Sequence, residues 1–223
     1  MLALLPRGGV AIDVGAHKGA YSYWMARRVG PHGCVLAFEP QSRIASTTQD
    51  SLLAVGLTQV RLTRAAVSDR CGVATIALRR DSTHGARLDG LADTAGPVDH
   101  EDVEVVTVDA AVERAGVDRV DFVKIDVEGH ESAVLRGCAQ TLRDHHPSVQ
   151  VEIEARHHEG TDAVVEASQR MAAAGYRGYF FSQGKVRRIA EFDVEIHQRY
   201  GEGEYCNDFL FVHESRASTA RFW

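Results

Sequence analysis

The chain has 223 residues, of which 44% are hydrophobic and 25% are charged, and its formal net charge is −6. This length suits one domain, so we expect residues 1–223 to form a single domain. The negative charge gives no general attraction to nucleic acids or to anionic membranes, and we expect neither as a partner. No apolar run is long enough to span a bilayer, and we expect a cytoplasmic protein.

Strand-like and helix-like segments alternate through the first half of the chain. Apolar, β-branched runs predict strands at residues 10–14, 34–40, 60–68 and 72–78, and helical spacing predicts helices at about residues 20–29 and 42–55. Such alternation favours a parallel sheet with helices on both of its faces.

Residues 79–102 interrupt this pattern. The segment is polar, contains glycines and has no clear periodicity. Loops of this length inside a compact domain are usually functional or mobile. Residues 79–102 are therefore either a disordered surface insertion or a lid over the substrate.

The second half of the chain predicts a sheet that ends in an antiparallel hairpin. Residues 103–112 resume the core, a strand within residues 120–131 leads into a helix near residues 132–142, and a strand at 149–155 precedes a helix at 164–174. The last apolar segments have no long helix between them, which is typical of antiparallel strands. The expected fold class is α/β, with a mostly parallel sheet of seven strands and helices on both faces.

The stretch IDVGAHKGAYS, residues 12–22, places a glycine-containing turn directly after the first strand. Such a turn lets a ligand approach main-chain N–H groups at a helix start. A dinucleotide fingerprint, G-x-G-x-x-G, would need glycines at the positions of His17 and Ala20, so a pyrophosphate site is disfavoured. Glu39 ends the second strand, where an acid can accept both ribose hydroxyls of a nucleoside.

An acid-x-Gly-x-x-x-Gly turn with an acid on the second strand resembles methyltransferases that use S-adenosylmethionine (SAM). The motifs IDVGAHKGAYS, FEP, AVSDRCG, VVTVDAAV, VDFVKIDVEGHESAVLRG and NDFLFVH, in this order, resemble FkbM-type methyltransferases over roughly residues 10–213. The most specific motif is KIDVEGHE, residues 124–131. The resemblance implies a Rossmann-like class I methyltransferase fold with SAM as the cofactor.

The resemblance also implies how the first turn holds this cofactor. Gly15, Ala16 and Gly19 would form the turn under the methionine part of SAM, and Asp13 would fix this turn or the amino group. His17 stands where the family often has asparagine, so the resemblance does not specify which group its side chain contacts.

Other positions would hold the rest of the cofactor. Glu39 would bind the ribose, Pro40 would pack beside the adenosine, and residues 66–68 would lie along the adenine. Asp126 would face the methionine end and the methyl group. The expected cofactor-binding residues are Asp13, Gly15, Ala16, His17, Gly19, Glu39, Pro40, Ala66, Val67, Ser68 and Asp126.

The predicted catalytic group is a set of charged residues at the end of the strand predicted within residues 120–131. Methyl transfer is an in-line displacement, and a hydroxyl acceptor needs a base that takes its proton. Lys124, Asp126 and Glu128 alternate along the strand and would share one face, with Asp126 central to the reaction. The alternative interpretation is an ion pair that steadies a buried turn.

A second acidic group follows the next strand. Glu152, Glu154 and His157 could join Asp126 as ligands of a divalent metal, or they could bind hydroxyls of the acceptor. Because acidic clusters at strand ends are also common in metal-free sites, we predict no metal.

The function expected from these features is SAM-dependent O-methylation of a small-molecule acceptor, a hydroxyl on a sugar or a specialised metabolite. One alternative is a cofactor-binding module without catalysis. A nucleotide-dependent oxidoreductase is less favoured because the glycine spacing is wrong for it.

Overall fold

The computed structural model describes residues 2–79, 98–158, 162–199, 201 and 204–216. The strands are β1 (Val10–Val14), β2 (Cys34–Phe38), β3 (Val60–Thr63), β4 (Ala65–Val67), β5 (Gly72–Arg79), β6 (Val98–Val106), β7 (Phe122–Ile125), β8 (Ser148–Glu152), β9 (Tyr176–Ser182), β10 (Lys185–Arg188) and β11 (Asp208–His213). The helices are α1 (Ala20–Val29), α2 (Ser42–Ala54), α3 (Val108–Ala115), α4 (Glu131–Arg136), α5 (Ala139–His145), α6 (Ala163–Ala173) and α7 (Val194–His197). In the part of the chain that is described, no helix is both long and apolar enough to cross a membrane.

The main sheet has the strand order β10-β9-β11-β8-β7-β1-β2-β3. Strands β3, β2, β1, β7 and β8 are mutually parallel, whereas β11 runs antiparallel to both of its neighbours and β9 forms an antiparallel hairpin with β10. The expected α/β class with a mostly parallel sheet and an antiparallel end is confirmed. Within the described residues the sheet has eight strands rather than seven, because β10 adds an edge strand.

Helices cover both faces of this sheet, as predicted. Even-numbered residues of β1, such as Ile12, pack with α3, α4, α5 and α6 in one hydrophobic cluster. Ala11 packs with α1 and α2 in a second cluster on the opposite face. Strand residues alternate between the two faces, so every central strand is buried on both sides.

A smaller sheet of order β4-β6-β5 corrects the prediction of one continuous strand over residues 60–68. The chain leaves the main sheet at Arg64, whose guanidinium donates to Glu101 at 2.5 Å and to the carbonyl of Asp102 at 3.0 Å. These contacts lie on β6, to which β4 is paired. The break therefore depends on partners far along the sequence, which a local pattern does not reveal.

The boundaries predicted for the 79–102 loop are also wrong at both ends. Arg79 is the last residue of β5, and residues 98–102 form the first half of β6, paired antiparallel with β5. Asp99 and His100 are exposed, so this half of the strand lacks the apolar alternation by which strands are recognised. Residues 80–97 of the predicted lid lie outside the described residues.

The helix predicted near residues 132–142 is two helices, α4 and α5. At the junction, a Cβ atom on Gly137 would lie 2.1 Å from the carbonyl oxygen of Ser68, so the backbone passes too close for a side chain. The carboxylate of Asp109 accepts hydrogen bonds from the N–H groups of Gln140 and Thr141 and thereby caps the first turn of α5.

Candidate cofactor and acceptor site

The turn after β1 is tightly packed against the neighbouring strand end. Gly15 has φ 78°, and a Cβ atom there would lie 1.8 Å from the carbonyl oxygen of Asp126. The N–H groups of Gly15 and Ala16 both donate to the carbonyl of Phe38, at 3.1 and 2.9 Å, and that of Gly19 donates to Ala16. These main-chain donors are therefore used within the turn, contrary to the expectation that they face a ligand. A phosphate site would need them free.

Glu39 is fixed by two backbone donors. Its carboxylate accepts from the N–H of His17 at 2.9 Å and from that of Gln41 at 3.0 Å, and the residue is 3% exposed. Burial raises the pKa of Glu39, against the lowering effect of these two hydrogen bonds. The side chain of Gln41 is a third donor to this carboxylate. A carboxylate has about four lone-pair positions, so one remains open to a ribose hydroxyl, and Pro40 directly follows.

His17 has a left-handed backbone, with φ 47°. Asparagine and histidine tolerate this region better than most residues, which explains how histidine can stand at this position. The carbonyl of His17 accepts from the hydroxyl of Thr48 at 2.8 Å. Gly19, with φ 77°, packs against the same threonine, because a Cβ atom there would lie 2.7 Å from its methyl carbon.

Asp13 and Lys124 occupy facing positions on β1 and β7. Asp13 is fully buried and accepts from the hydroxyl of Ser22 at 2.5 Å. Burial raises the pKa of Asp13, although Lys124 and Ser22 act against this. The second oxygen, Oδ1, is buried and has no hydrogen-bond partner among the described residues. Asp13 therefore carries an unsatisfied acceptor directly under the glycine turn.

Lys124 is 2% exposed and its ammonium lies 2.9 Å from Asp126 Oδ2 and 4.3 Å from the ring centre of Tyr21. Burial alone would lower the pKa of Lys124, but Asp13 and Asp126 raise it overall. The predicted neighbourhood of Lys124 and Asp126 is therefore present as an ion pair. β7 ends at Ile125 and Glu128 has φ 47°, so the strand alternation used to place Glu128 on the same face does not extend to it.

Asp126, Glu152 and Asp208 form a row of carboxylates across three neighbouring strands, which we call the acid row. Glu152 and Asp208 are register partners, and Asp126 and Glu152 each lie one position beyond the last paired residues of β7 and β8. Asn207 donates to Glu152 at 2.6 Å. Burial, followed by the charges of Asp126 and Asp208, raises the pKa of Glu152 to about 8.

The sequence prediction did not include Asn207 and Asp208. A signal was present, because these two polar residues precede an apolar strand-like run. Since β11 is antiparallel to β8, its start lies at the edge of the sheet where the parallel strands end.

The turn between β7 and α4 is held by Glu131, which is 3% exposed. Its carboxylate accepts from the N–H of Gly129 at 2.8 Å and lies 3.0 Å from Nε2 of His158. Glu131 therefore holds the turn that leads into α4.

The residues predicted to lie along the adenine divide into two groups. Ala66 and Val67 are buried in hydrophobic clusters, whereas Ser68 borders a cavity of about 220 Å³. His130 also lines this cavity, and its Nε2 lies 2.9 Å from the hydroxyl of Ser68. This contact between His130 and Ser68 is a second feature that the sequence did not reveal.

Among the described residues, no group of three or more His, Cys, Asp or Glu side chains could hold a metal ion. Glu154 pairs instead with Arg156 and accepts from the hydroxyl of Tyr205 at 3.3 Å. His157 lies in a short 3₁₀ turn after β8.

Comparison with known proteins identifies the family to which the chain is similar. The family described as Methyltransferase FkbM domain matches residues 13–177. Among solved structures, methyltransferase FkbM from Methylobacillus flagellatus KT is 17% identical with a TM-score of 0.55, over 91% of this chain and 43% of that one. The chain thus spans less than half the length of that relative.

Two further structures share the fold. An rRNA methylase from Streptococcus thermophilus is 10% identical with a TM-score of 0.53, over 95% of this chain and 90% of that one. A SAM-dependent O-methyltransferase from Thermotoga maritima is 17% identical with a TM-score of 0.50, over 96% and 62% of the two chains. No curated protein matches the sequence.

The residues at the glycine turn fit SAM chemically. The unsatisfied oxygen of Asp13 and the carboxylate of Glu39, held by His17 and Gln41, are acceptors for an amino group and for a ribose hydroxyl. The carboxylate of Asp126 provides negative charge beside the turn, as a sulfonium requires. The fold is the class I methyltransferase fold, the cofactor is SAM, and the chain belongs to the FkbM methyltransferase family.

Proposed function

We propose that this protein transfers the methyl group of SAM to a hydroxyl oxygen of a small molecule, a sugar or a specialised metabolite. The observation that carries the proposal is the acid row beside the glycine turn. A hydroxyl is a poor nucleophile, and its oxygen needs hydrogen-bond acceptors and a base while the new bond forms. Carboxylates on three neighbouring strands supply both.

The contacts support the proposed cofactor-binding roles. Glu39 holds a ribose hydroxyl with the lone pair that His17 and Gln41 leave open. Asp13 receives the amino group, and the side-chain-free Gly15 lets the turn close against Asp126. When bound, SAM supplies a methyl group on a positively charged sulfur.

The acceptor lies on the other side of this methyl group. Asp126, paired with Lys124, keeps a negative charge opposite the sulfonium and orients the acceptor hydroxyl. Glu128, in the turn after β7, is the third predicted contributor. A module that only bound cofactor would have no use for Glu152 and Asp208 at the next strand ends.

The experiment is transfer of a tritiated methyl group from SAM to a panel of free sugars, glycosides and phenols, with amines and ribosomal RNA for comparison. We expect label in a hydroxylated small molecule, and a rate about 10²–10⁴-fold lower for Asp126→Asn. Label in an amine or in RNA would contradict the proposed acceptor. Tight SAM binding without transfer to any of these would favour the non-catalytic module.

A further inference from the structure

The three carboxylates of the acid row differ in what already occupies them. Asp126 has one oxygen bound by the ammonium of Lys124 at 2.9 Å, and Asp208 accepts from the side-chain amide of Gln150 at 2.6 Å. Glu152 accepts from the neutral amide of Asn207 at 2.6 Å and shares a side-chain hydrogen bond with Asp126, and no cation pairs with it among the described residues. Glu152 therefore stands between two other acids without an ion pair of its own.

We propose that Glu152 is the catalytic residue that takes the proton of the acceptor hydroxyl, with Asn207 as the positioning residue that holds its carboxylate. The inference rests on the proposed O-methylation and identifies the residue that takes the proton of the acceptor hydroxyl. Asp126 is next to the glycine turn, and Glu152 is one strand further from it. An acceptor that approaches from the β11 side reaches Glu152 before it reaches the methyl group.

The step balances in atoms and charge. The acceptor oxygen forms a bond to the methyl carbon while its O–H bond breaks, and the proton passes to a carboxylate oxygen of Glu152. The electron pair of the broken carbon–sulfur bond stays on sulfur, which becomes neutral. The products are a methyl ether, a neutral thioether and a protonated Glu152.

Because of the charges around Glu152, its protonation depends on whether the sulfur of the bound cofactor is positive or neutral. Burial, Asp126 and Asp208 raise the pKa of Glu152 to about 8, so most of it is protonated at pH 7 in the protein alone. A positive sulfonium beside the row lowers that pKa, which favours the base form before transfer. Once the sulfur is neutral, the pKa rises again and Glu152 retains the proton it has taken. The charged or titratable groups that act on Glu152 are Lys124, Asp126, Asp208, Tyr21 and Tyr205.

The test is calorimetric titration of the full chain with SAM at pH 7, in two buffers that differ in ionisation enthalpy, so that released protons are counted. Glu152→Gln keeps the size of the side chain and an oxygen that can accept from Asn207. The matched control is Glu166→Gln, an acid on α6 in a partly exposed pair with Arg170. We expect the wild type and the control to release roughly half a proton or more per bound SAM beyond what Glu152→Gln releases.

Equal proton release by the wild type and a SAM-binding Glu152→Gln would overturn the inference. A second measurement is independent of how well the variant folds: the wild type should release more protons with SAM than with S-adenosylhomocysteine at pH 7, and equal release would also overturn it. Failure of the proposed function is distinguishable, because the wild type would then label no hydroxyl in the tritium panel. If it labels a hydroxyl and Glu152→Gln does so at a comparable rate, only this inference fails.

Discussion

The carboxylates of the site differ in what balances their charge. Glu39 is satisfied by two backbone N–H groups, whereas Asp126 is paired with the ammonium of Lys124. Among the described residues, Glu152 accepts from the Asn207 amide and has acidic neighbours but no paired cation. These different partners give chemically identical groups different tasks: Glu39 suits ligand binding, Asp126 an ion pair, and Glu152 proton exchange.

We predict that Glu39→Gln weakens SAM binding by about 10- to 100-fold. The amide keeps the size of the side chain but turns one acceptor into a donor, which then faces a backbone N–H or a ribose hydroxyl. The dissociation constant is measured by calorimetry. Glu166→Gln is the control, since Glu166 lies on α6 in a partly exposed pair with Arg170. Unchanged affinity in a folded Glu39→Gln would remove this residue from the cofactor site.

Lys124→Met should reduce the free energy of unfolding by about 3–5 kcal/mol, because it leaves Asp13 and Asp126 without their ammonium partner. Urea denaturation at pH 7 measures this loss, and Lys185→Met, at an exposed position, is the control. The loss should shrink as the pH falls, because Asp13, whose pKa is raised by burial, then takes up a proton. A loss no greater than that of the control would show that the buried pair is not needed for stability.

At the residue level, the sequence was most informative where a recognised motif lies at the end of a predicted strand. Glu39, Lys124 and Asp126 were predicted from strand ends, and the structure brings Lys124 and Asp126 together. Asp208 was not predicted, because its place in the site depends on β11 inserting between β8 and β9. That insertion is a long-range pairing, which local periodicity does not specify.

At the level of elements, the close approach of β1 and β7 dictates the glycine turn. The N–H of Asp126 donates to the carbonyl of Val14 at 3.0 Å, and the carbonyl of Asp126 occupies the space where a side chain at position 15 would be. The turn therefore joins the proposed cofactor side of the site to the proposed catalytic side through these backbone contacts.

Gly15→Ala should destabilise the protein more than Gly56→Ala does and should abolish SAM binding. Both glycines have similar positive φ values, 78° and 75°, but no atom of the residues that the structure describes lies within 4 Å of a Cβ atom at Gly56. Gly56→Ala thus isolates the cost of the left-handed backbone, about 1–2 kcal/mol. Thermal denaturation and calorimetry measure the two effects. Equal losses of stability with retained binding would contradict the steric account of this turn.

The order of strands and helices could be read from the sequence, since buried parallel strands are continuous apolar runs. The first half of β6, residues 98–102, could not be predicted from the sequence. It is polar and exposed, and it forms by pairing with β5. A substrate lid within residues 80–97 stays a prediction.

For the whole molecule, the topology gathers the chemistry at one edge of the main sheet. β1, β7 and β8 end there and β11 begins there, so residues distant in sequence become neighbours. Concentrating acids in this way costs stability, because their charged forms repel one another and are partly desolvated.

The free energy of unfolding should therefore depend on pH through Glu152. Its pKa is about 8 in the folded protein, against an ordinary value of 4.5. The folded state then binds more protons than the unfolded state between these values, so this contribution to stability is present at low pH and is lost as the pH rises toward 8. Denaturation of Glu152→Gln and the wild type from pH 4 to 9 should show the variant gaining on the wild type with pH. A constant difference would mean that Glu152 titrates normally.

The central claim is that the sulfur of the cofactor lies between the glycine turn and the acid row. A crystal structure with S-adenosylhomocysteine tests it most directly. We predict that a ribose hydroxyl binds Glu39 and that the sulfur lies within about 4–6 Å of the Asp126 carboxylate, the range in which opposite charges act strongly. A sulfur that points away from Asp126 and Glu152, or a ribose bound elsewhere, would contradict the account.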